Sequence, residues 1–199
     1  MLDQRIIIPR GQQVPPGIQQ QQIDRRPRLI VTGYGEHGKD TVCKILLALT
    51  GLTFVSSSWA MCEEVVYPQL KDKLDYRSPI ECYENRRYQR KLWYDIIAEF
   101  NKDDLARLGK LIFAKYDVYC GLRNRDELLA MRELYLYDHL IWVDASEREE
   151  PEAMSSMTVT KEDADFILDN NGPEIELREK VLKLLSAIMP TGFPGRYKH

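Results

Sequence analysis

The sequence predicts an α/β fold of three layers, in which a central, mainly parallel sheet of about five strands is covered by helices. Three observations lead there. Short apolar runs such as Leu29-Ile30-Val31 are continuous rather than alternating, as in strands buried on both faces. These runs alternate with longer stretches of helical periodicity, the pattern of successive βαβ units. A glycine-containing turn, Gly33 to Gly38, then joins the first strand directly to an apolar helix.

In order along the chain, residues 1–27 are rich in Gln and Pro and carry little that forms a core, so they read as a flexible N-terminal arm. Ile6-Ile7-Ile8 is the one stretch there that would dock on the body or on a neighbouring subunit. The folded domain is expected over 28–189. A strand at 28–32 is followed by a helix at 39–50 and a strand at 52–56, and then by helices at 59–72, 80–101 and 103–115. A strand at 117–121, a helix at 125–135, a strand at 139–144, a short strand near 165–168 and a last helix at 174–189 complete it. The residues 190–199 read as a loose tail.

With 199 residues, 44% of them hydrophobic, the chain is long enough for one domain with a real core. A formal charge of −3 excludes a global attraction to nucleic acid or to acidic membranes, so any anion must be bound locally. Neither direct nucleic-acid binding nor membrane association is therefore expected. The four cysteines, Cys43, Cys62, Cys82 and Cys120, lie far apart in apolar stretches without CxxC spacing, and read as buried free thiols. Without a secretory h-region or an apolar run of spanning length, a soluble cytoplasmic protein is expected.

The chemistry concentrates in Gly33-Tyr34-Gly35-Glu36-His37-Gly38-Lys39-Asp40-Thr41. Gly33-x4-Gly38-Lys39 fits a phosphate-binding loop, where glycines let backbone N–H groups curl around phosphates and the lysine reaches the terminal ones. The helix starting at the loop adds its positive end. An ordinary glycine turn is the plainer alternative, but it explains neither the lysine nor the two flanks. Where such loops commonly carry Ser or Thr for Mg²⁺, Asp40 stands here, followed by Thr41. Either Asp40, through its carboxylate, or Thr41 would serve the metal.

The loop with its GKDT ending resembles that of the deoxynucleoside monophosphate kinases of tailed bacteriophages. Gly121-Leu122-Arg123-Asn124-Arg125-Asp126-Glu127 and Asp165-Phe166-Ile167-Leu168-Asp169-Asn170-Asn171-Gly172 follow in the family's order and approximate spacing, so the resemblance spans roughly 28–189. It implies a P-loop kinase fold, ATP and Mg²⁺ as cofactors and a (deoxy)nucleoside monophosphate as acceptor, in the host cytoplasm if the chain is phage-encoded. It also implies an acceptor- or phosphate-contacting role for Arg123 and an adenine-edge contact at Asn170. Gly121 departs from the pattern, since the family often has an aspartate there; Asp117 or Asp144 would be the nearby substitute, and nothing in the sequence selects either. The polar stretch 145–163, with Arg148 as its arginine, corresponds to the family's lid or is an exposed loop without a catalytic role.

Phosphoryl transfer between nucleotides needs arginines converging on the loop. At about 100° per residue, a helix over 80–101 puts Arg86 and Arg90 on the side of Tyr83, Trp93 and Ile97, with Arg87 between faces. Arginines covering aromatic surface would look the same. Arg123 follows a strand, at the edge where parallel sheets bind ligands; a salt bridge to Asp126 or Glu127 is the competing role. Ser57 in the Ser56-Ser57-Ser58 run would offer a hydroxyl to the acceptor or merely belong to a helix cap. Trp59 and Tyr83 would stack on an acceptor base or belong to the core. Asp169-Asn170-Asn171-Gly172 reads first as a turn. A kinase of a small hydroxyl substrate and a non-catalytic nucleotide-binding or assembly module remain as rivals, and a homodimer through the long helices would be ordinary.

Overall fold

The computed structural model describes residues 26–150 and 157–189. The expected arm, apart from its last residues, and the expected tail at 190–199 lie outside the described residues. Five strands form one sheet: β1 (Leu29–Thr32), β2 (Phe54–Ser56), β3 (Val118–Cys120), β4 (His139–Asp144) and β5 (Phe166–Asp169). Their spatial order is β2-β3-β1-β4-β5 and every pairing is parallel. The predicted α/β architecture is therefore present, with an all-parallel sheet.

The period-two alternation of side chains along each strand divides the core between two faces. Leu29, Val31, Val118, Cys120, Ile141 and Val143 point to one face. There they are covered by α1 (Lys39–Thr50), through Val42, Ile45 and Leu46, and by a C-terminal helix (Glu174–Ile188), through Leu177, Val181 and Leu185. Ile30, Tyr119, Leu140 and Trp142 point to the other. This face carries Ala60 and Met61 of α2 (Ser57–Met61) and the helices that follow later in the chain. Because β1 leaves toward the β2 edge and β4 toward the β5 edge, the carboxyl ends of β1 and β4 flank a topological switch point, where open α/β sheets take their ligands.

Two expected helices are broken. The helix expected at 59–72 consists of α2, a π-helical turn at Cys62–Val66 and α3 (Tyr67–Leu70). Pro68 has no N–H to give to a carbonyl four residues back, and the wider turn before it makes room for its ring. The helix expected at 80–101 is split into α4 (Pro79–Asn85) and α5 (Arg90–Asn101). Cys82 and Trp93 share one buried cluster with Cys62, Val66, Leu70 and Tyr76. In a continuous helix they would lie about 16 Å apart along the axis. The bend at 86–89 brings both onto the same patch. Next come α6 (Arg107–Phe113), α7 (Arg125–Glu133), a 3₁₀ turn at Lys161–Asp163, and the C-terminal helix, α8.

All four cysteines are buried and free, as expected. Among the described residues no helix is long and apolar enough to cross a membrane.

Candidate nucleotide site

The turn between β1 and α1 is held in shape by backbone conformation. Gly33 lies at φ 144°, and a Cβ there would collide with the Val143 carbonyl of β4. Glu36 takes φ 61°, and Gly38, at φ 85°, is the N-cap of α1. No side chain caps that helix, so its end presents backbone donors of the kind that bind phosphate. Lys39 is half-buried at the first position of α1, and its ammonium donates to the Tyr34 carbonyl across the loop. The glycines and lysine predicted for a phosphate cradle thus lie in one turn at the switch point, with Gly35 in its middle.

A groove of ≈ 450 Å³ opens there. Its wall is formed by Glu36, Gly38, Lys39, Asp40 and Thr41 on the loop side, and by Arg148, Asn170 and the start of α8 opposite. Arg148, noted in the sequence only as the lid's arginine, is thus a groove residue. Gly172 of the 169–172 turn also lines it, as do Glu174 and Leu177, which carried no sequence signal because they enter through the packing of α8 against the loop.

His37 and Asn170 face inward. His37 is fully buried; its Nδ1 accepts from Ala145 N–H at 3.0 Å, and its ring stands edge-on to Tyr34. The Asn170 side-chain amide donates to the His37 carbonyl at 2.9 Å, and the backbone carbonyl of Asn170 accepts from Arg148 Nε at 2.9 Å. The amide nitrogen of Asn170 is therefore committed to the loop backbone while the residue still borders the groove.

Asp40 is exposed at the groove, with Oδ1 accepting a weak hydrogen bond from Cys120 Sγ at 3.4 Å. Beneath it, burial and next the Cys120 thiol push the Cys43 thiol well above the usual range, so it stays protonated. Asp40 and Thr41 are hard oxygen donors beside a phosphate cradle, a set that fits Mg²⁺, which takes one or two protein oxygens together with substrate phosphates. Asp117 is far from this role. It precedes β3 at the opposite, amino edge, where it binds Arg26 and Thr53. Asp144 does end β4, but it is engaged by the Lys161 ammonium and the Ser146 N–H; burial opposes its ionisation, and these bonds outweigh burial and lower its pKa.

On the other side of β1, the carboxyl ends of β2 and β3 are stitched together. Ser57 Oγ donates to the Gly121 carbonyl at 3.0 Å, and Thr32 Oγ1 to the Leu122 carbonyl at 2.5 Å. Ser57 is thus engaged with the sheet, and Ser56, not Ser57, caps α2 by accepting from Trp59 N–H. Gly121 has φ 85°, so an aspartate at this position would sit in a strained left-handed conformation. Ser58 Oγ lies 3.0 Å from Tyr83 OH, Trp59 packs edge-on against Tyr83 at 5.3 Å, and the Arg86 guanidinium rests 3.8 Å above the Tyr83 ring. Arg86 is thereby tied to the β2 end of the sheet.

The broken helix separates the other arginines. Arg87 lies over the exposed Tyr88 ring, and Arg90 is exposed at the start of α5, so the common face expected for Arg86 and Arg90 on one straight helix does not exist. Arg123 is exposed just beyond β3, and its carbonyl accepts from Thr158 and Val159 N–H. Arg125 is bound to Asp163 at 3.0 Å. Glu127 is turned away from Arg123 into the core, where Tyr119 OH donates to it at 2.9 Å and burial pushes its pKa up to about 7. The polar stretch 145–163 is only partly lid-like. Met157 and Val159 are buried in the core, and residues 151–156 lie outside the described residues.

No protein-family model matches the chain, and no curated protein matches it. Solved structures that resemble it include an unliganded sugar kinase from Janibacter sp. HTCC2649, with 18% identity and a TM-score of 0.43 over 84% of this chain and 99% of that one. Shikimate kinase from Aquifex aeolicus vf5 has 18% identity and a TM-score of 0.45, over 83% and 99% of the two chains. Shikimate kinase from Acinetobacter baumannii in complex with shikimate has 11% identity and a TM-score of 0.48, over 86% and 97%.

Proposed function

We propose that this protein is an ATP-dependent kinase that transfers the γ-phosphoryl group to a (deoxy)nucleoside monophosphate. The observation that carries the reading is a contrast between two edges. One holds an uncapped helix end with Lys39 and Arg148 around a groove. The other, at the ends of β2 and β3, bears Arg123 and, through Tyr83, Arg86, beside Ser56 to Trp59 and Gly121 to Asn124, and the carboxylate that reaches it, Asp40 against Cys120, stands with the proposed metal donors. A hydroxyl acceptor needs a base to receive its proton. A phosphate acceptor is already an anion and needs cations to approach the donor.

In this reading the loop from Gly33 to Thr41 and the end of α1 cradle the donor phosphates, and Lys39 moves from the Tyr34 carbonyl to them. Asp40 and Thr41 would hold Mg²⁺, which when bound draws charge from the phosphate oxygens. Arg86 and Arg123 neutralise the acceptor phosphate, with Arg90 and Arg87 as outer cations, and Trp59 and Tyr83 offer ring surface to its base. An acceptor oxygen bonds to the γ-phosphorus as the bond to the β,γ-bridging oxygen breaks, leaving a nucleoside diphosphate and ADP. No covalent enzyme intermediate is required. The likeness of the loop to phage enzymes supports a role in supplying deoxynucleotides for phage DNA synthesis, in the host cytoplasm.

The exposed carboxylate of Asp40 favours a second reading, in which it receives the proton of a small hydroxyl acceptor. Purified protein with ATP and Mg²⁺, tested across all (d)NMPs and a set of nucleosides and small polyols with products separated, discriminates the two. Turnover of a monophosphate supports the proposal; turnover of hydroxyl compounds alone refutes it. ATP binding without transfer to any acceptor would identify a non-catalytic nucleotide module.

A further inference from the structure

Three loops far apart in sequence meet on Asn170, one through its side chain and two through its backbone. Its Nδ2 donates to the His37 carbonyl at 2.9 Å, and lies where a Cβ on Gly38 would have to be. Its backbone N–H donates to the Asp144 carbonyl at 2.7 Å, and its backbone carbonyl accepts from Arg148 Nε at 2.9 Å. His37 completes the ring, since Nδ1 accepts from Ala145 N–H, three residues before Arg148. Asn170 is only 6% exposed and His37 0%, so the bonds between Asn170 and His37 and between His37 and Ala145 run through the interior and exchange little with water. Bonding through Nε also leaves the other guanidinium nitrogens of Arg148, on the groove wall, to face a ligand.

We infer that Asn170 is a positioning residue that fixes the curvature of the phosphate loop and carries Arg148 into the groove. One buried residue then sets both, the loop's grip on a polyphosphate through its side-chain amide and the place of the second cation through its backbone carbonyl. This rests on the reading of the groove as a nucleotide site. Asn170 acts through the loop and Arg148, and does not read the base.

The test uses the full chain, with ATP and inorganic tripolyphosphate as probes in calorimetric titrations and with thermal unfolding recorded for every variant. Asn170→Asp keeps the shape but cannot donate to the His37 carbonyl, and Asn170→Ala removes that contact, while both keep the backbone carbonyl that holds Arg148 and lose only the anchor that fixes its position. Both are expected to weaken either probe by about tenfold or more. Arg148→Lys keeps the charge but lacks the Nε–H that Asn170 holds, so it is expected to behave like Arg148→Ala. In the double variant the two losses are expected to be less than additive, which a merely structural role of Asn170 would not produce. In turnover, KM for ATP should rise while KM for the acceptor stays unchanged.

Variants that bind as tightly as wild type, or losses that simply add, overturn the inference and leave the nucleotide reading standing. If the Asn170 variants fail to fold, the comparison of Arg148→Lys with Arg148→Ala decides, wild-type affinity for Arg148→Lys being the overturning result. Wild-type protein that binds neither probe overturns the reading of the groove, and the inference with it.

Discussion

Gly33 of the phosphate loop sits directly against the carbonyl of Val143 in β4, in a contact that leaves no room for a Cβ. Its φ of 144° is a second obstacle, since L side chains avoid that region. The first glycine of the loop is therefore set by the approach of a neighbouring strand as much as by any phosphate. Gly33→Ala should lower the unfolding free energy by roughly 2 kcal/mol or more. Urea unfolding of the ligand-free protein checks this; unchanged stability would show that the loop can relax away from β4.

Lys39 is half-buried at the loop and donates to the Tyr34 carbonyl, so removing it costs little packing. Lys39→Ala should leave thermal unfolding within a few degrees of wild type while phosphoryl transfer falls by about a hundredfold or more. Steady-state assays with saturating ATP read this, and undiminished turnover would refute the role given to the lysine.

Asp40 is the carboxylate of the proposed metal set. Replacement by Asn keeps an oxygen donor and removes the charge, so the free Mg²⁺ needed for half-maximal rate should rise about tenfold. A magnesium titration of both proteins gives the answer. If Asp40 instead serves as a base for a hydroxyl acceptor, the maximal rate collapses at every magnesium concentration.

Arg86 rests on the Tyr83 ring and is exposed, so its stacking adds only about 0.5–1 kcal/mol to stability. Arg86→Ala should raise the acceptor KM by about tenfold with the ATP KM unchanged. A rise in the ATP KM alone would assign Arg86 to the donor side.

Glu127 provides the pH signature. Buried beside Tyr119, it has its pKa raised from 4.5 to about 7, so the folded state holds its proton more tightly than the unfolded chain. This contribution is complete below about pH 4.5 and is lost as the pH rises through about 7. Between about pH 5 and pH 8 the wild type should lose on the order of 1–3 kcal/mol relative to Glu127→Gln. Urea unfolding at a series of pH values measures it; parallel profiles would mean that Glu127 is ionised in the fold throughout.

The layered architecture and the phosphate loop were legible from the sequence, because both depend on local patterns. Continuous apolar runs mark strands buried on two faces, and a glycine-lysine turn between strand and helix needs no distant partner to be recognised. Helix α1 runs from Lys39 to Thr50 as expected, since Gly38 and Gly51 bound it. The arginine face of residues 80–101 was not legible: periodicity describes a straight helix, and the shared burial of Cys82 and Trp93 bends it. Tertiary structure alone decided that Asn170 turns inward to His37, that Arg148 lines the groove, and that Gly121 needs its left-handed backbone. Periodicity records which face of an element is buried, whereas these contacts join residues as much as 133 positions apart, and only the packing of the sheet brings them together.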